Sequence, residues 1–314
     1  MVKLKSKTPT IFIDGEAGTT GLEIRNRLAV LPQIAVKSIA HDKRKDPAAR
    51  QALMKEVDLV VLCLPDDAAK ESVALADQLG ADSPAIIDAS TAHRVAPGWV
   101  YGFPEMTKGH AKAVADARRV ANPGCYPTGG IALLRPLVEA GVMAADFPVT
   151  VNAVSGYSGG GKSMIEAYEA GTAPSFEMYG LGMAHKHVPE LQKYSLLSTR
   201  PIFVPSVGNF RQGMLVAVPL HLSALKAGTS IGTLKEILTT HYKGSELVSV
   251  IDQADASTKG GRIPAEAVNG TDKLELRVFG SDDVKQAVLV ARLDNLGKGA
   301  SGAAVQCMRL MLGC

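Results

Sequence analysis

The stretch Thr10-Ile-Phe-Ile-Asp14-Gly15-Glu-Ala-Gly18-Thr19-Thr20-Gly21-Leu-Glu-Ile-Arg-Asn-Arg-Leu28 decides how the rest of the chain is read. A short apolar run ends at an acid and a glycine, and the residues from Gly21 to Leu28 suit a helix. The glycine spacing is GxxGxxG, a departure from GxGxxG. The context carries more weight: an apolar strand precedes the turn, a helix follows it, and it lies near the N-terminus. Glycines let a backbone approach a pyrophosphate, and the start of the following helix favours its charge. An ordinary tight βα turn is the competing reading.

Downstream, Ile34–Ala40 and Asp58–Leu64 read as strands, the latter unbroken in its apolar character, as suits burial on both faces of a parallel sheet. Asp66–Leu79 is helical and opens with two acids, and Ala85–Asp88 is a fourth strand. This βαβαβ rhythm predicts an α/β fold built on a Rossmann-like, doubly wound parallel sheet. The second strand runs into His41-Asp42-Lys43-Arg44-Lys45. Asp42 suits the ribose hydroxyls of NAD, whereas Lys43 and Arg44 suit a 2′-phosphate, and the balance favours NADP over a merely solvated basic loop.

After Asn122 the pattern changes. A Pro/Gly-rich turn, Asn122–Gly130, leads into a helix expected over Ile131–Ala140, which Pro136 should kink or shorten. Pro148–Ser155, Leu215–Ser223, Leu274–Phe279 and Ala287–Asp294 alternate moderately and suit a largely antiparallel, one-faced sheet, and Gly299–Leu312 reads as a terminal helix.

With 314 residues, 46% hydrophobic and 21% charged, the chain can bury full cores, and its length suggests two domains. Lys+Arg total 34 against 31 Asp+Glu, and basic residues cluster only in the tail Met1–Lys7, so no nucleic-acid partner is expected. No apolar run reaches the ~18 residues of a membrane span, and the N-terminus lacks a signal h-region, so a cytoplasmic protein with no membrane partner is expected. Four cysteines without a CxxC pair argue against a zinc or disulfide framework, and no metal is expected.

Cys125 stands in Asn122-Pro-Gly-Cys125-Tyr-Pro-Thr128-Gly-Gly, a rigid turn just before a helix. Amide N–H groups there favour a thiolate and suit an oxyanion, which marks Cys125 as a candidate nucleophile rather than an inert buried thiol. Cys63 and Cys307, in apolar segments, fit the inert role. His185-Lys-His187-Val-Pro-Glu190 supplies two imidazoles, either of which suits proton shuttling; structural and metal-binding roles compete. Gly156–Ser163 matches GxxxxGK[ST], the loop of a nucleoside triphosphatase, although no strand ending in a magnesium-binding Asp follows; a smaller phosphorylated substrate would use the same amides with Lys162. Ser90 follows a strand whose carboxyl end faces the ligand crevice, Arg94 and Arg211 suit carboxylate or phosphate, and Asn295–Gly299 suits the nicotinamide end of a cofactor, with surface salt bridges as the plain alternative for the arginines.

Taken in order, GEAGTTGLEI, DAST, NPGCYPTG, SGYSGGGKS, HKHVPE and NLGKGASG resemble the shorter variety of N-acetyl-gamma-glutamyl-phosphate reductase over residues 8–312. Aspartate-semialdehyde dehydrogenase is a related alternative, from which HKHVPE departs. The resemblance implies a glyceraldehyde-3-phosphate dehydrogenase-like arrangement: an NADP-binding domain over 1–121, completed by the terminal helix at 296–314, and an α+β catalytic and oligomerisation domain with a largely antiparallel mixed sheet over 122–295. It implies that Cys125 forms a thioester from an acyl-phosphate substrate and that His185 or His187 moves the proton. It places the cofactor on Gly15, Gly18, Thr19, Thr20, Gly21, Lys43, Arg44, Pro65, Ser90, Asn295 and Gly297. It places substrate on Asn122, Ser155, Gly156, Gly161, Lys162, Arg94, Arg211 and Glu190. A homo-oligomer, tetramer or dimer, is implied as well.

Overall fold

The computed structural model describes residue 2 and residues 4–252 and 261–314; Met1 and Lys3 of the basic tail lie outside the described residues. In chain order the elements are β1 (Thr10–Asp14), α1 (Thr19–Leu28), β2 (Ala35–Lys37), α2 (Pro47–Glu56), β3 (Leu59–Leu62), α3 (Asp66–Asp77), β4 (Ala85–Asp88), β5 (Val100–Tyr101), α4 (His110–Asp116) and β6 (Arg119–Ala121). There follow α5 (Cys125–Glu139), β7 (Thr150–Gly156), α6 (Lys162–Glu169), β8 (Phe176–Met178), α7 (Val188–Tyr194), β9 (Ile202–Gly208), β10 (Met214–His221), α8 (Ile231–His241), β11 (Val248–Val250), β12 (Leu274–Ser281), β13 (Gln286–Leu293) and α9 (Gly302–Leu312). The chain divides into two compact units: Met1–Pro104, Gly109–Pro123 and Ala300–Cys314 form the first, and Glu105–Lys108 with Gly124–Gly299 the second.

The first unit holds a six-stranded sheet, order β2-β1-β3-β4-β6-β5, with every pairing parallel. Its unbroken apolar strands serve two cores. Ile11, Ile13, Leu59, Val61 and Ile87 face one way, against Ile24 of α1 and Ala304, Cys307 and Met308 of α9. Phe12, Val60, Leu62 and Ile86 face the other, against Met54 of α2 and Ala69 and Ala76 of α3. Alternate residues of one strand thus bury on opposite faces, which is why no polar alternation is visible in them.

The second unit holds a seven-stranded mixed sheet, order β11-β12-β13-β10-β7-β9-β8, antiparallel except for β7 with β9 and β11 with β12. Along β10, Met214, Val216, Val218 and Leu220 are buried while Leu215, Ala217, Pro219 and His221 are not. Helix α5 lies so close to the buried face that a β-carbon on Gly129 would meet Val216 Cγ2 at 2.8 Å.

Several sequence expectations need correction. Helix α5 begins at Cys125, not Ile131, and runs through Pro136 without ending. Helix α1 begins at Thr19 rather than Gly21, and β2 is only three residues long. Helix α2 went unread although Asp46-Pro47 announces it: the Asp46 carboxylate accepts from Ala48 N at 2.9 Å and Pro47 occupies the first turn, where its missing N–H costs nothing. The terminal helix is preceded by a π turn, Gly297–Ser301.

Candidate functional site

In the second unit, Cys125 is the first residue of α5, after an extended Gly124 cap, and no side-chain acceptor caps the helix there. The amides of a helix's first turn favour a thiolate at such a position. Gly124 N donates to Oε2 of the buried Glu190 at 3.0 Å, which ties α7 to the turn before Cys125. Thr128 N and Oγ1 both donate to Gly124 O, at 3.0 and 2.9 Å, and lock the other side of that turn. Cys125 is half-buried. Cys63 and Cys314 are half-buried as well, and Cys307 is buried. Burial, reinforced by Asp88 and Asp14, pushes Cys63 up to about 12; Cys307 is fully buried and donates to Gly102 O; burial raises Cys314 against the opposing charge of Arg309.

Both imidazoles gather about Tyr126, the neighbour of Cys125. The ring of His187 lies 5.9 Å from that of Tyr126 and the ring of His185 6.3 Å, with the two imidazoles 4.8 Å apart. His187 N donates to His185 Nδ1 at 3.1 Å, which orients the outer ring. Tyr179, six residues before His185, carries no sequence signal of its own. Its hydroxyl donates to Tyr126 Oη at 3.1 Å, and Tyr126 donates in turn to Ser206 O at 2.9 Å. Burial pushes Tyr126 far above the ordinary phenol range, with charge on Tyr179 and then Cys125 adding to it. Burial pushes Tyr179 up to about 12, opposed by its bond to Tyr126 and aided by charge on Cys125. Both phenols thus remain protonated donors at neutral pH and sense charge on Cys125.

Near this group Ser155 is buried and donates to Gly156 O, and Gly156 packs where a β-carbon would lie 2.6 Å from Gln212 N. Asn295 is buried, donating to Ser158 Oγ at 2.9 Å and accepting from Gly213 N at 2.8 Å. Gly297 packs against Thr271, and Lys298 forms a buried ion pair with Glu105 at 2.7 Å. Arg211 pairs with Glu169, both exposed. The triphosphatase reading of Gly156–Ser163 fails on its backbone. Gly156, Tyr157 and Ser158 spend their N–H groups on the carbonyls of Gly213, Phe210 and Arg211, and Gly161 donates to Ser158 O at 3.3 Å. A loop whose amides are consumed internally cannot wrap a triphosphate. The Lys162 side chain, 83% exposed, faces Glu166 at 3.7 Å.

In the first unit, Gly15 has φ +92°, and a β-carbon there would collide with Cys63 O; one on Gly21 would lie 2.5 Å from Gly15 O. The turn is therefore glycine by necessity of close packing. Gly18 caps α1 and no side-chain acceptor meets the first-turn amides there. The acid that ends β1 is occupied: Asp14 accepts from Arg50 at 2.7 Å and from Ser72 Oγ at 2.7 Å. Lys43 and Arg44 stand exposed in a short turn after β2. Pro65 caps α3, whose Asp66 accepts from Thr91 N. Ser90 Oγ donates to the buried Asp88 at 2.8 Å. Arg94 Nε donates to Asn122 O at 3.0 Å, and Asn122 Nδ2 donates to Ala300 O at 3.0 Å, while the buried Asn122 Oδ1 has no hydrogen-bond partner among the described residues. Among the described residues no group of three or more His, Cys, Asp or Glu is gathered for a metal, and no helix is long and apolar enough to cross a membrane.

Comparison with known proteins agrees with this division. The family description "Semialdehyde dehydrogenase, NAD binding domain" matches residues 36–114, and "Semialdehyde dehydrogenase, dimerisation domain" matches 125–295. In fold the chain is similar to an aspartate semialdehyde dehydrogenase II of Vibrio cholerae (TM-score 0.73, 16% identity, covering 98% of this chain and 99% of that one). It is also similar to an aspartate semialdehyde dehydrogenase with NADP from Candida albicans (TM-score 0.64, 13% identity, covering 97% and 98%). In sequence it is 54% identical over 310 residues to an N-acetyl-gamma-glutamyl-phosphate reductase of Brucella suis, covering 97% of this chain and 99% of that protein. Identity at that level along both full chains means that this chain belongs to the N-acetyl-gamma-glutamyl-phosphate reductases, within the semialdehyde dehydrogenase family.

Proposed function

We propose that the chain reduces N-acetyl-L-glutamyl 5-phosphate to N-acetyl-L-glutamate 5-semialdehyde through a thioester on Cys125, with NADPH as reductant, in arginine biosynthesis. The observation that carries this reading is Cys125 in the first turn of α5, with two imidazoles grouped about the next residue. Cys125 Sγ attacks the acyl carbon, first-turn amides hold the tetrahedral oxyanion, and the carbon–oxygen bond to phosphate breaks, leaving the thioester. When bound, the reduced dinucleotide supplies the hydride that a thioester carbon accepts more readily than a carboxylate. The protonated imidazole of His185 or His187 then gives its proton to the oxygen of the reduced carbon. As that proton returns, the carbon–sulfur bond breaks to release the aldehyde and regenerate the thiolate.

The first unit fits the cofactor: Gly15 and Gly21 stand where a β-carbon would collide with backbone, no side chain caps the start of α1, and the acid that ends β1 is paired with Arg50. Gly15, Gly18, Thr19, Thr20 and Gly21 would hold the pyrophosphate, and Lys43 and Arg44 the 2′-phosphate that distinguishes NADP. The first unit is thus the NADP-binding domain and the second the catalytic one. A homo-oligomer, tetramer or dimer, fits the sheet face turned away from α5, where Ile202 and Val288 are exposed. Metabolic chemistry of this kind suits the cytoplasm.

The test is the reverse reaction. Phosphate-dependent NADPH formation from N-acetyl-L-glutamate 5-semialdehyde is expected, and Cys125→Ser should reduce it at least ~10³-fold. Activity that survives this change, or that needs no phosphate, overturns the reading.

A further inference from the structure

We infer that His93 is a further cofactor-binding residue, its Nε2 receiving the nicotinamide–ribose half of the dinucleotide; this rests on the cofactor reading given above. Asp14, Leu62 and Asp88 stand in register across the adjacent parallel strands β1, β3 and β4. The glycine turn leaves β1 one residue after Asp14, and the loop 89–94 leaves β4 one residue after Asp88. The two loops therefore rise from the same edge of the sheet, two strand spacings or about 10 Å apart. The chain passes from β1 to β2 on one side and to β3 on the other, so the ligand crevice opens beside β1. Lys43 and Arg44 follow β2 and claim the adenosine half for that side. With the pyrophosphate on the glycine turn, the nicotinamide half extends the opposite way, over β3 and β4.

The loop there is knitted inward. Ser90 N and Oγ donate to Asp88 at 2.9 and 2.8 Å, Ala92 N donates to Ser90 Oγ at 3.1 Å, and Thr91 N donates to Asp66 at 2.9 Å. Ser90, expected from the sequence to meet the cofactor, is turned away to the buried acid. His93 is fixed on two sides. Its Nδ1 donates to Asp88 Oδ2 at 2.6 Å, since the carboxylate can only accept, and its ring stacks on Trp99 with centroids 4.2 Å apart. Trp99 itself packs against the Phe12–Val60 core. What remains is Nε2, which makes no hydrogen bond to a described residue. On the neutral ring it is an acceptor held in one orientation, suited to a carboxamide N–H or a ribose hydroxyl.

Calorimetry on wild type and His93→Gln, with NADP+ and with its adenosine half 2′,5′-ADP, tests this. Expected is an NADP+ affinity lowered about tenfold in the variant, with 2′,5′-ADP bound within twofold of wild type. Trp99 is the sole tryptophan, so its emission should also be quenched by NADPH and not by 2′,5′-ADP. An NADP+ affinity within twofold of wild type, or an equal loss for both ligands, overturns the role of His93 and leaves the cofactor reading standing. A wild type that binds neither ligand overturns both.

Discussion

A β-carbon on Gly299 would lie 2.9 Å from Cβ of Cys125, closer than such atoms pack. The position holds the chain against Cys125, and Gly299→Ala should displace one or the other. The expected result is a lower melting temperature, from about 1–3 kcal/mol of overpacking, together with slower alkylation of Cys125 by iodoacetamide. Glu190 acts on the same turn from the opposite side. Glu190→Ala strands the buried Gly124 N–H at about 1–3 kcal/mol, whereas Glu190→Gln keeps an acceptor; urea denaturation should separate the two variants. The imidazoles can be told apart by His185→Asn and His187→Asn, of which the proton-transferring one should lose ~10²–10⁴-fold in kcat. Cys125, His185 and His187 stood out in the sequence as candidates because few residue types suit this chemistry, and the structure groups the two imidazoles about Tyr126, next to Cys125. Tyr179 and Gly299 did not stand out, because their importance lies in what they touch across 53 and more residues of chain.

Helix α5 explains why its start was misread. Residues 125–130 contain one proline and two glycines, a composition that reads as a turn. Pro127 falls in the first turn, where no N–H is needed, and both glycines are selected by packing, Gly129 on Val216 and Gly130 on Leu191. Pro136 should have broken the helix, since it gives no hydrogen bond to Ala132 O. Instead the buried Tyr242 hydroxyl donates to that carbonyl at 3.0 Å, from beyond the end of α8. Tyr242→Phe is expected to destabilise the protein by about 1–3 kcal/mol in urea denaturation. Pro136→Ala restores the missing backbone donor and should make the tyrosine substitution cheaper in a double-mutant cycle. The parallel strands were read correctly by their unbroken apolar character, whereas short elements such as β5, β6 and α4 carry too few residues to show a period.

Across the whole molecule, alkaline stability reflects the buried thiol at the turn of the first unit. Unfolded, Cys63 loses its proton near its ordinary value of 9.0; folded, it holds the proton up to about 12. Above pH ~9 the unfolded chain binds fewer protons than the native one, so stability falls as pH rises toward 12, by up to about 4 kcal/mol from this group. Below pH 9 the contribution is fully present. Cys63→Ala should flatten that part of the profile in thermal melts recorded from pH 8 to 11. The exposed apolar residues of the second sheet should matter for assembly: Ile202→Lys with Val288→Lys is expected to shift mass by light scattering toward the monomer. The two-unit division was legible in the change of rhythm after Asn122, but the excursion of Glu105–Lys108 into the second unit was not, since four residues leave no compositional trace.

Helix α9 has one further consequence. The core of the first unit needs Ala304, Cys307 and Met308, which are separated from the rest of that unit by the whole span from Gly124 to Gly299. On the ribosome these residues emerge only after the whole of the second unit. The unit begun first is therefore finished last, and a nascent chain stalled before Ala300 leaves Ile11, Ile13 and Val61 without their cover, open to proteases and chaperones until translation ends.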